Sequence, residues 1–186
     1  MNKTDSRTEP VPTPLELEQI RVFDTCTIAN AIEKLGARLR NEGYTTPGLH
    51  CVTGDPVRMI GYAVTSRVKT SNPPVSGDSY LDRSDWWALV ETAPLPRLAV
   101  IQDIDDGPGA ASVAGEVHAA ILRALRCGGL ITNGAVRDVP GITALDFPIY
   151  AHLIEVSHAY CHMVDFRVAV EIQGLRIEPG GNHSSG

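Results

Sequence analysis

Residues 98–132 read LAVIQDIDDGPGAASVAGEVHAAILRALRCGGLIT, and their pattern decides the fold. They open on an apolar run, residues 98–104, which is typical of a strand buried on both faces. Turn residues at 105–109 end this strand. Residues 113–126 then have the periodicity of an amphipathic helix, and residues 130–132 begin another strand. Strand, helix and strand in this order predict a βαβ unit and an α/β fold.

Further elements are predicted on both sides of this unit. The apolar side of the 113–126 helix is expected to consist of Val113, Val117, Ala120, Ile121, Ala124 and Leu125, with Gly128 and Gly129 ending the helix. Earlier helices are predicted at residues 15–21 and 25–35. The second is expected to have Asp24 or Thr25 as its N-cap and Gly36 as its end, with an apolar stripe of Ile28, Ala31, Ile32 and Leu35. Ser84 is predicted to cap a further helix, which carries Trp86, Trp87, Leu89 and Val90. Residues 61–70, 148–153, 166–172 and 175–177 are predicted strands, and residues 142–145 a short helix.

Composition limits the class of protein. The 186 residues carry a net charge of −6 and no run of cations, which disfavours direct nucleic-acid binding. No apolar stretch approaches the roughly 20 residues of a membrane span, and the four scattered cysteines form no CxxC pair, so a reducing cytoplasm is expected. Residues 1–14 are interpreted as a flexible leader, 15–180 as one domain and 181–186 as a flexible tail.

The start of the predicted central helix is a candidate anion site. Gly115, Glu116, Val117 and His118 lie in its first turn, where free backbone N–H groups and the helix dipole favour a carboxylate. Glu116 could act as a base, although an acidic residue in a first turn more often only stabilises the helix.

A second candidate, residues 133–138 (NGAVRD), follows a buried strand. Ligands of α/β sheets collect outside the carboxyl ends of strands. Arg137 offers a planar fork to a carboxylate or carbonyl oxygen, and Asp138 offers an oxygen ligand to Mg²⁺. The alternative is a solvated Arg–Asp pair. Gly134, which lets a ligand approach the backbone, favours the functional interpretation.

Two other clusters are weaker candidates. Asp103, Asp105 and Asp106 could support a metal, but a solvated turn explains them more simply. His158 and His162 are four residues apart, and on a strand they would lie about 13 Å apart, too far to share zinc. A role in a site wall or in packing is therefore expected for these histidines.

Residues 115–151, GEVHAAILRALRCGGLITNGAVRDVPGITALDFPIYA, resemble the central signature of the RraA-like proteins. These include the 4-hydroxy-4-methyl-2-oxoglutarate / 4-carboxy-4-hydroxy-2-oxoadipate aldolases. The segments VIQDIDD, FDTCTIANAIEKLG and IQGLRIEPG agree in order and spacing, so the resemblance covers about residues 20–180. It implies an αββα sandwich of the RraA-like type, built around the βαβ unit, that assembles as a homotrimer or hexamer with active sites between subunits.

The resemblance also implies roles for the candidate residues. Asp138 would anchor a divalent metal, Mg²⁺ or Mn²⁺, Arg137 would steady the carbonyl and enolate oxygens, and the backbone of Gly115 to His118 would hold the substrate carboxylate. Glu116 occupies the position of the acidic residue that activates a water as base, where relatives usually carry Asp. After residue 180 the sequence reads GNHSSG where relatives carry an acidic and histidine-containing stretch. The chain is therefore expected either to be a truncated or divergent member or to complete its site differently.

The function implied by the resemblance is that of a class II-type, metal-dependent aldolase and decarboxylase. It would release pyruvate from oxaloacetate or from a short 4-hydroxy-2-keto diacid similar to 4-hydroxy-4-methyl-2-oxoglutarate. The alternative is a non-catalytic RraA-like regulator that binds a ribonuclease or another protein. Such relatives lack the metal-site carboxylate, so the presence of Asp138 favours the enzyme. A methyltransferase is disfavoured because no Gly-rich loop for a nucleotide methyl donor is present.

Overall fold

Five helices and eleven strands make up the described part of the chain. The computed structural model describes residues 11–75 and 79–180, and for residues 79–82 it describes the backbone alone. The predicted tail and most of the predicted leader therefore lie outside the described residues. The helices are α1 Pro14–Ile20, α2 Thr25–Leu35, α3 Ser79–Thr92, α4 Glu116–Ala124 and α5 Val139–Ala144. The strands are β1 His50–Cys51, β2 Tyr62–Lys69, β3 Arg97–Asp103, β4 Ser112–Ala114, β5 Cys127–Thr132, β6 Ala135–Val136, β7 Ile149–Ala151, β8 Leu153–Ile154, β9 His162–Phe166, β10 Val170–Ile172 and β11 Leu175–Ile177.

A six-stranded sheet in the order β1-β7-β5-β3-β2-β9 forms the centre of the fold. Its four inner strands run parallel, and β1 and β9 are antiparallel at the two edges. Six of the seven β3 residues are buried, as its apolar sequence predicts. Because β3 and β5 are parallel neighbours joined through α4, the predicted βαβ unit is confirmed, with the short strand β4 inserted before the helix.

The core lies on both faces of this sheet. On one face, Ile101 and Leu130 of the sheet pack with Trp86 of α3, Leu122 of α4 and Ile142 of α5. On the other face, Val100 packs with the β10–β11 hairpin in a smaller cluster. The predicted α/β class is thus confirmed as a helical layer, a central sheet and a second β layer.

Helix α4 presents a different face to the core from the predicted one. Its buried residues are His118, Ala119 and Leu122, whereas Val117 is 74% exposed. The predicted stripe was phased from Val113, which belongs to β4 and not to the helix. The helix ends before Arg126, which takes a left-handed conformation (φ 61°), and both Gly128 and Gly129 continue into β5.

The bounds of several other elements also differ from the predicted ones. Ser84 lies inside α3 and is not its cap, because that helix begins five residues earlier at Ser79. Residues 166–172 do not form one strand, because Arg167 adopts a positive φ of 60° between β9 and β10. Residues 148–153 divide into β7 and the start of β8, which join different sheets. Helix α5 begins at Val139, three residues earlier than predicted.

Helix α2 begins and ends where it was predicted, but its apolar stripe is not buried as predicted. Its bounds are as predicted, Asp24 accepts a hydrogen bond from the Thr27 N–H at 2.8 Å, and Gly36 ends it with φ 64°. No residue of α2 is buried in the single chain, and Leu35 is 80% exposed. Within the described part of the chain, the predicted apolar stripe is therefore at most half-buried. Within the described residues, no helix is long and apolar enough to cross a membrane.

The corrected face of α4 can be tested by a pair of substitutions. Leu122→Ala removes a fully buried side chain and is expected to lower the free energy of unfolding by about 2–5 kcal/mol. Val117→Ala on the exposed side is expected to change it by only about 0.5 kcal/mol. Chemical denaturation measures both values, and a larger loss for Val117→Ala would restore the original prediction.

Candidate functional site

Parallel pairing of two short strands builds the candidate site. β4, β6 and β8 form a separate three-stranded parallel sheet, with β6 in the middle. Gly115 directly follows β4 and Arg137 directly follows β6. The Arg137 N–H donates to the Ala114 carbonyl at 3.0 Å. The helix start and the Arg–Asp pair, separated by about twenty residues in the sequence, therefore meet at one edge of this sheet.

Asp138 is positioned by an unusual backbone conformation. Its φ of 56° and ψ of 31° are left-handed, a region that Asp and Asn tolerate better than most residues. Its Oδ2 accepts from the Glu116 N–H at 3.3 Å and lies 3.4 Å from Arg137 Nε. Both contacts are long, and the Asp138 side chain remains 45% exposed. The carboxylate is held in place but retains capacity for another partner.

Gly115 permits this close approach. A Cβ atom at residue 115 would lie 2.5 Å from Asp138 Oδ2 and 3.1 Å from Arg137 Cγ. The φ of Gly115 is −135°, so the backbone itself requires no glycine. What requires glycine is the space taken by the two functional side chains.

The first N–H groups of α4 lie at the same place, and that of Glu116 donates to Asp138. The first hydrogen bond of α4 runs from the Ala119 N–H to the Gly115 carbonyl, at 3.0 Å. The N–H groups of Glu116, Val117 and His118 precede it, and such groups have no carbonyl within their own helix. The structure thus brings this backbone next to Arg137 and Asp138.

A cavity of about 430 Å³ opens beside these residues. Arg83 and Trp87 of α3 line one wall, and His118 and Ile121 of α4 line another, while residues 158–161 complete the rim. A larger hollow of about 670 Å³ lies at the amino ends of the parallel strands, lined by Arg97 and Gly128 where β3 and β5 begin. Ligands of α/β sheets bind at the carboxyl ends, so the smaller cavity is the candidate site.

The side chain of Glu116 points to a different part of the surface. It lies against Gly141 of α5, where an added Cβ would collide with its carboxylate. Glu116 does not belong to the residues that line the 430 Å³ cavity, whereas its neighbours Gly115 and Val117 do. The backbone N–H of Glu116 thus belongs to the site through Asp138, while its role as a base stays a prediction.

The ring of His118 is buried beneath the cavity floor. It packs against Trp86 and Trp87, with ring centroids 5.7 Å and 5.8 Å away. Burial, reinforced by the nearby Arg83 charge and partly offset by the Val113 carbonyl, lowers the pKa of His118 to about 3. The imidazole is therefore neutral at physiological pH.

The two weaker clusters have different positions. Asp103 is buried and accepts hydrogen bonds from the Gly109 N–H at 3.3 Å and the Thr70 hydroxyl at 3.1 Å, and burial raises its pKa. Asp105 accepts from the Thr70 N–H at 2.7 Å, so these carboxylates connect loops and do not form a solvated turn. In the part of the chain that the structure describes, no three His, Cys, Asp or Glu residues form a metal-binding group.

The histidines after β8 also separate. His158 is exposed on the cavity rim, which places it in a wall of the candidate site. His162 instead begins β9, where it pairs with Lys69 of β2.

Comparisons with known proteins identify the family of this chain. The RraA-like family model, described as Aldolase/RraA, matches residues 25–182. The chain belongs to the RraA-like family. A search of curated proteins gave no match.

Solved structures share the fold of this RraA-like chain. RraAS2 of Streptomyces coelicolor, described as an unusual member of the RNase ES inhibitor RraA protein family, has 18% identity and a TM-score of 0.68, covering 91% of this chain and 80% of its own. The RNA-processing inhibitor RraA of Thermus thermophilis has 15% identity and a TM-score of 0.55, with coverages of 82% and 83%. A Geobacillus kaustophilus protein described as S-adenosylmethionine: 2-dimethylmenaquinone methyltransferase has 17% identity and a TM-score of 0.55, with coverages of 85% and 83%.

The donor set around Asp138 fits a hard divalent cation. A single exposed carboxylate suits Mg²⁺ or Mn²⁺, which keep several waters and take further oxygens from the substrate. The space left by the absent Cβ of Gly115 lies directly against Asp138 Oδ2. A zinc site would require several His or Cys ligands, and none are gathered within the described residues.

Three residues that line the cavity were not predicted from the sequence. Arg83, Trp87 and Cys161 line the cavity together with Arg137 and Asp138, although they belong to α3 and to the loop before β9. Arg83 and Trp87 are four residues apart and so share one face of α3, which is the only local signal. Their position depends on how α3 packs against α4.

The depressed pKa of His118 makes the stability of the fold depend on pH. Between its ordinary value of 6.5 and the folded value of about 3, the unfolded chain binds a proton that the folded chain does not. The contribution of His118 to the free energy of unfolding is therefore fully present above pH 6.5. It decreases as the pH falls below that value, by up to about 1.4 kcal/mol per pH unit. In His118→Leu, unfolding free energies measured from pH 7 to 4 should show a correspondingly smaller slope. His158→Leu, which removes an exposed imidazole, should retain the wild-type slope, and equal slopes for all three proteins would contradict this assignment.

The close approach at Gly115 leads to a prediction about metal binding. Gly115→Ala should push the Asp138 carboxylate aside and weaken Mn²⁺ binding by about 10- to 100-fold, with little change in melting temperature. Gly107→Ala is the matched control, because an added Cβ there meets no atom within 4 Å. Titration calorimetry measures the affinities. Unchanged Mn²⁺ affinity in Gly115→Ala would show that Asp138 does not hold the cation.

Proposed function

We propose that this protein is a divalent-metal-dependent aldolase and decarboxylase that releases pyruvate. Its substrates would be oxaloacetate or a short 4-hydroxy-2-keto diacid. The observation that carries the proposal is the meeting of the α4 backbone, the Arg137 guanidinium and the exposed Asp138 carboxylate at the mouth of one cavity. Aldol cleavage of a 2-keto acid requires an anchor for the carboxylate and stabilisation of the charge that develops on the keto oxygen.

The helix start and Arg137 would share the binding of the 2-keto acid end. N–H groups at the beginning of α4 favour an anion through their partial positive charge and the helix dipole. Arg137 has a planar guanidinium that can donate two parallel hydrogen bonds, and 37% of its side chain is exposed. We propose that it donates to the keto oxygen as negative charge develops there.

Asp138 would hold the cation, Mg²⁺ or Mn²⁺. When bound, the cation supplies Lewis-acid polarisation of the keto oxygen. The Glu116 N–H and Arg137 both contact the same Asp138 oxygen, which fixes the direction of the carboxylate. In aldol cleavage the C3–C4 bond breaks, its electrons move toward the keto group, and the C4 hydroxyl loses its proton to a base. Glu116, acting through a water, is the proposed base.

The exposed apolar surface of α2 supports assembly into a homotrimer or hexamer. Leu35 of the helix and the neighbouring Val22 and Phe23 are all largely exposed in the single chain. Exposed large apolar side chains at both ends of a helix are consistent with an interface. A subunit contact there would bury the stripe that the fold leaves uncovered.

A second candidate is a protein-binding regulator without catalysis. It is favoured by the descriptions of two structural relatives as an RNase ES inhibitor family member and an RNA-processing inhibitor. The same exposed apolar surface could then bind a ribonuclease. A regulator would not need the close contact between Gly115 and the Asp138 carboxylate, and this favours the enzyme.

Pyruvate release tests the proposal. With Mg²⁺ the protein should release pyruvate from oxaloacetate or 4-hydroxy-4-methyl-2-oxoglutarate, and EDTA should abolish the release. Asp138→Asn should lower kcat/KM by about 100-fold or more, because it removes the charge that holds the cation. Asn tolerates the left-handed backbone of residue 138, so the melting temperature should change little.

The exposed Asp106 offers a matched control, since Asp106→Asn removes the same charge outside the cavity and should leave kcat/KM unchanged. A folded wild-type protein that releases no metal-dependent pyruvate from either substrate would refute the aldolase. Full activity in Asp138→Asn would refute the role of Asp138.

A further inference from the structure

The candidate cavity contains a second arginine on its far wall. Arg83 and Trp87 lie one turn apart on α3 and line the cavity together with His118 and Ile121 of α4. Arg137 lies at the start of the other wall, beside Asp138. One cavity of about 430 Å³ therefore holds two guanidinium groups on different elements.

Arg83 donates its hydrogen bonds to two groups of Cys161. Its Nη2 donates to Cys161 Sγ at 2.9 Å and to the Cys161 carbonyl at 3.4 Å. Burial raises the pKa of the Cys161 thiol, so the sulfur carries no negative charge at neutral pH. Among the residues with described side chains, no carboxylate forms an ion pair with Arg83. A half-buried cation whose hydrogen bonds go to a carbonyl and a neutral thiol is suited to bind an anion.

We propose that Arg83 binds a second carboxylate, at the end of the ligand remote from Arg137 and Asp138. This inference rests on the proposed function and deepens it: the site would select 2-keto diacids over 2-keto monoacids of equal length. Arg137 and the start of α4 would hold the keto acid end, and Arg83 would form charged hydrogen bonds with the distal carboxylate. Arg83 is then a residue that determines specificity.

A purely structural role for Arg83 is the competing explanation. Its hydrogen bonds to Cys161 connect α3 to the loop before β9, and this connection could be its whole purpose. The two roles differ in what they affect. A structural connection would alter binding of all ligands equally, whereas an anchor would alter only the preference for the diacid.

Binding of two non-cleavable ligands separates these roles. 2-Oxoglutarate and 2-oxopentanoate have the same chain length and the same keto acid end, and they differ only in a terminal carboxylate or methyl group. Neither has a C4 hydroxyl for aldol cleavage. With Mg²⁺ present, calorimetry on the wild-type protein should show 2-oxoglutarate binding about 10-fold or more tightly, the value expected for charged hydrogen bonds.

The substitution Arg83→Gln should abolish that preference. Glutamine can still donate to the Cys161 carbonyl but has no charge, so both ligands should bind with similar affinity. Arg83→Lys keeps the charge without the planar fork and should retain part of the preference. Arg123→Gln, on the exposed face of α4 away from the cavity, removes the same charge and should leave the preference unchanged.

Several results would overturn the inference. These are no preference in the wild type, a preference that survives in Arg83→Gln, or an equal loss of affinity for both ligands. No binding of either ligand to the folded wild type would also overturn it. The outcome is distinct from that of the aldolase test. A wild type that prefers the diacid but releases no pyruvate would leave Arg83 as an anchor and refute only the aldolase.

Discussion

The parallel pairing of β4 with β6 is the constraint on which the candidate site depends. The hydrogen bond from the Arg137 N–H to the Ala114 carbonyl fixes the ends of the two strands side by side. It places Gly115 against the carboxylate of Asp138, and only glycine leaves room for that contact. The backbone of α4 then begins beside an oxygen that its first N–H can reach, at 3.3 Å. A few short-range contacts thus join two segments that are distant in the chain.

Helix α4 serves both the core and the site. Leu122 and Ala119 anchor it on the sheet, and the same orientation places the His118 ring between the two tryptophans of α3. Because burial keeps this imidazole neutral, it adds no charge to the cavity beside Arg83. The charge of the cavity is therefore determined by the arginines and Asp138. This local positive potential can attract an anionic substrate although the whole chain carries a net charge of −6.

The parts that could be predicted from the sequence are those encoded locally. The βαβ unit has apolar strands and turn residues that identify it, and the helix start and the NGAVRD segment occupy positions where ligands bind in such folds. The strands β4 and β6 have three and two residues and are too short to show a periodic pattern in the sequence. The pairing that aligns the site was therefore not predicted. The direction of the Glu116 side chain and the position of Arg83 depend on packing between helices. Spacing along the chain carries no information about either.

A second Arg–Asp pair in this protein shows why the loosely paired Arg137 and Asp138 are the functional candidate. Arg67 and Asp165 form a bidentate pair across β2 and β9, with Nε to Oδ1 at 2.8 Å, and the hydrogen bonds to Asp165 raise the pKa of Arg67. That geometry satisfies both partners and connects two strands. Arg137 and Asp138 instead share one long contact of 3.4 Å, and their other donor and acceptor positions face a cavity. A pair that served only stability would gain from closing this contact. The open contact leaves the guanidinium and the carboxylate with capacity for the substrate and the cation that we propose.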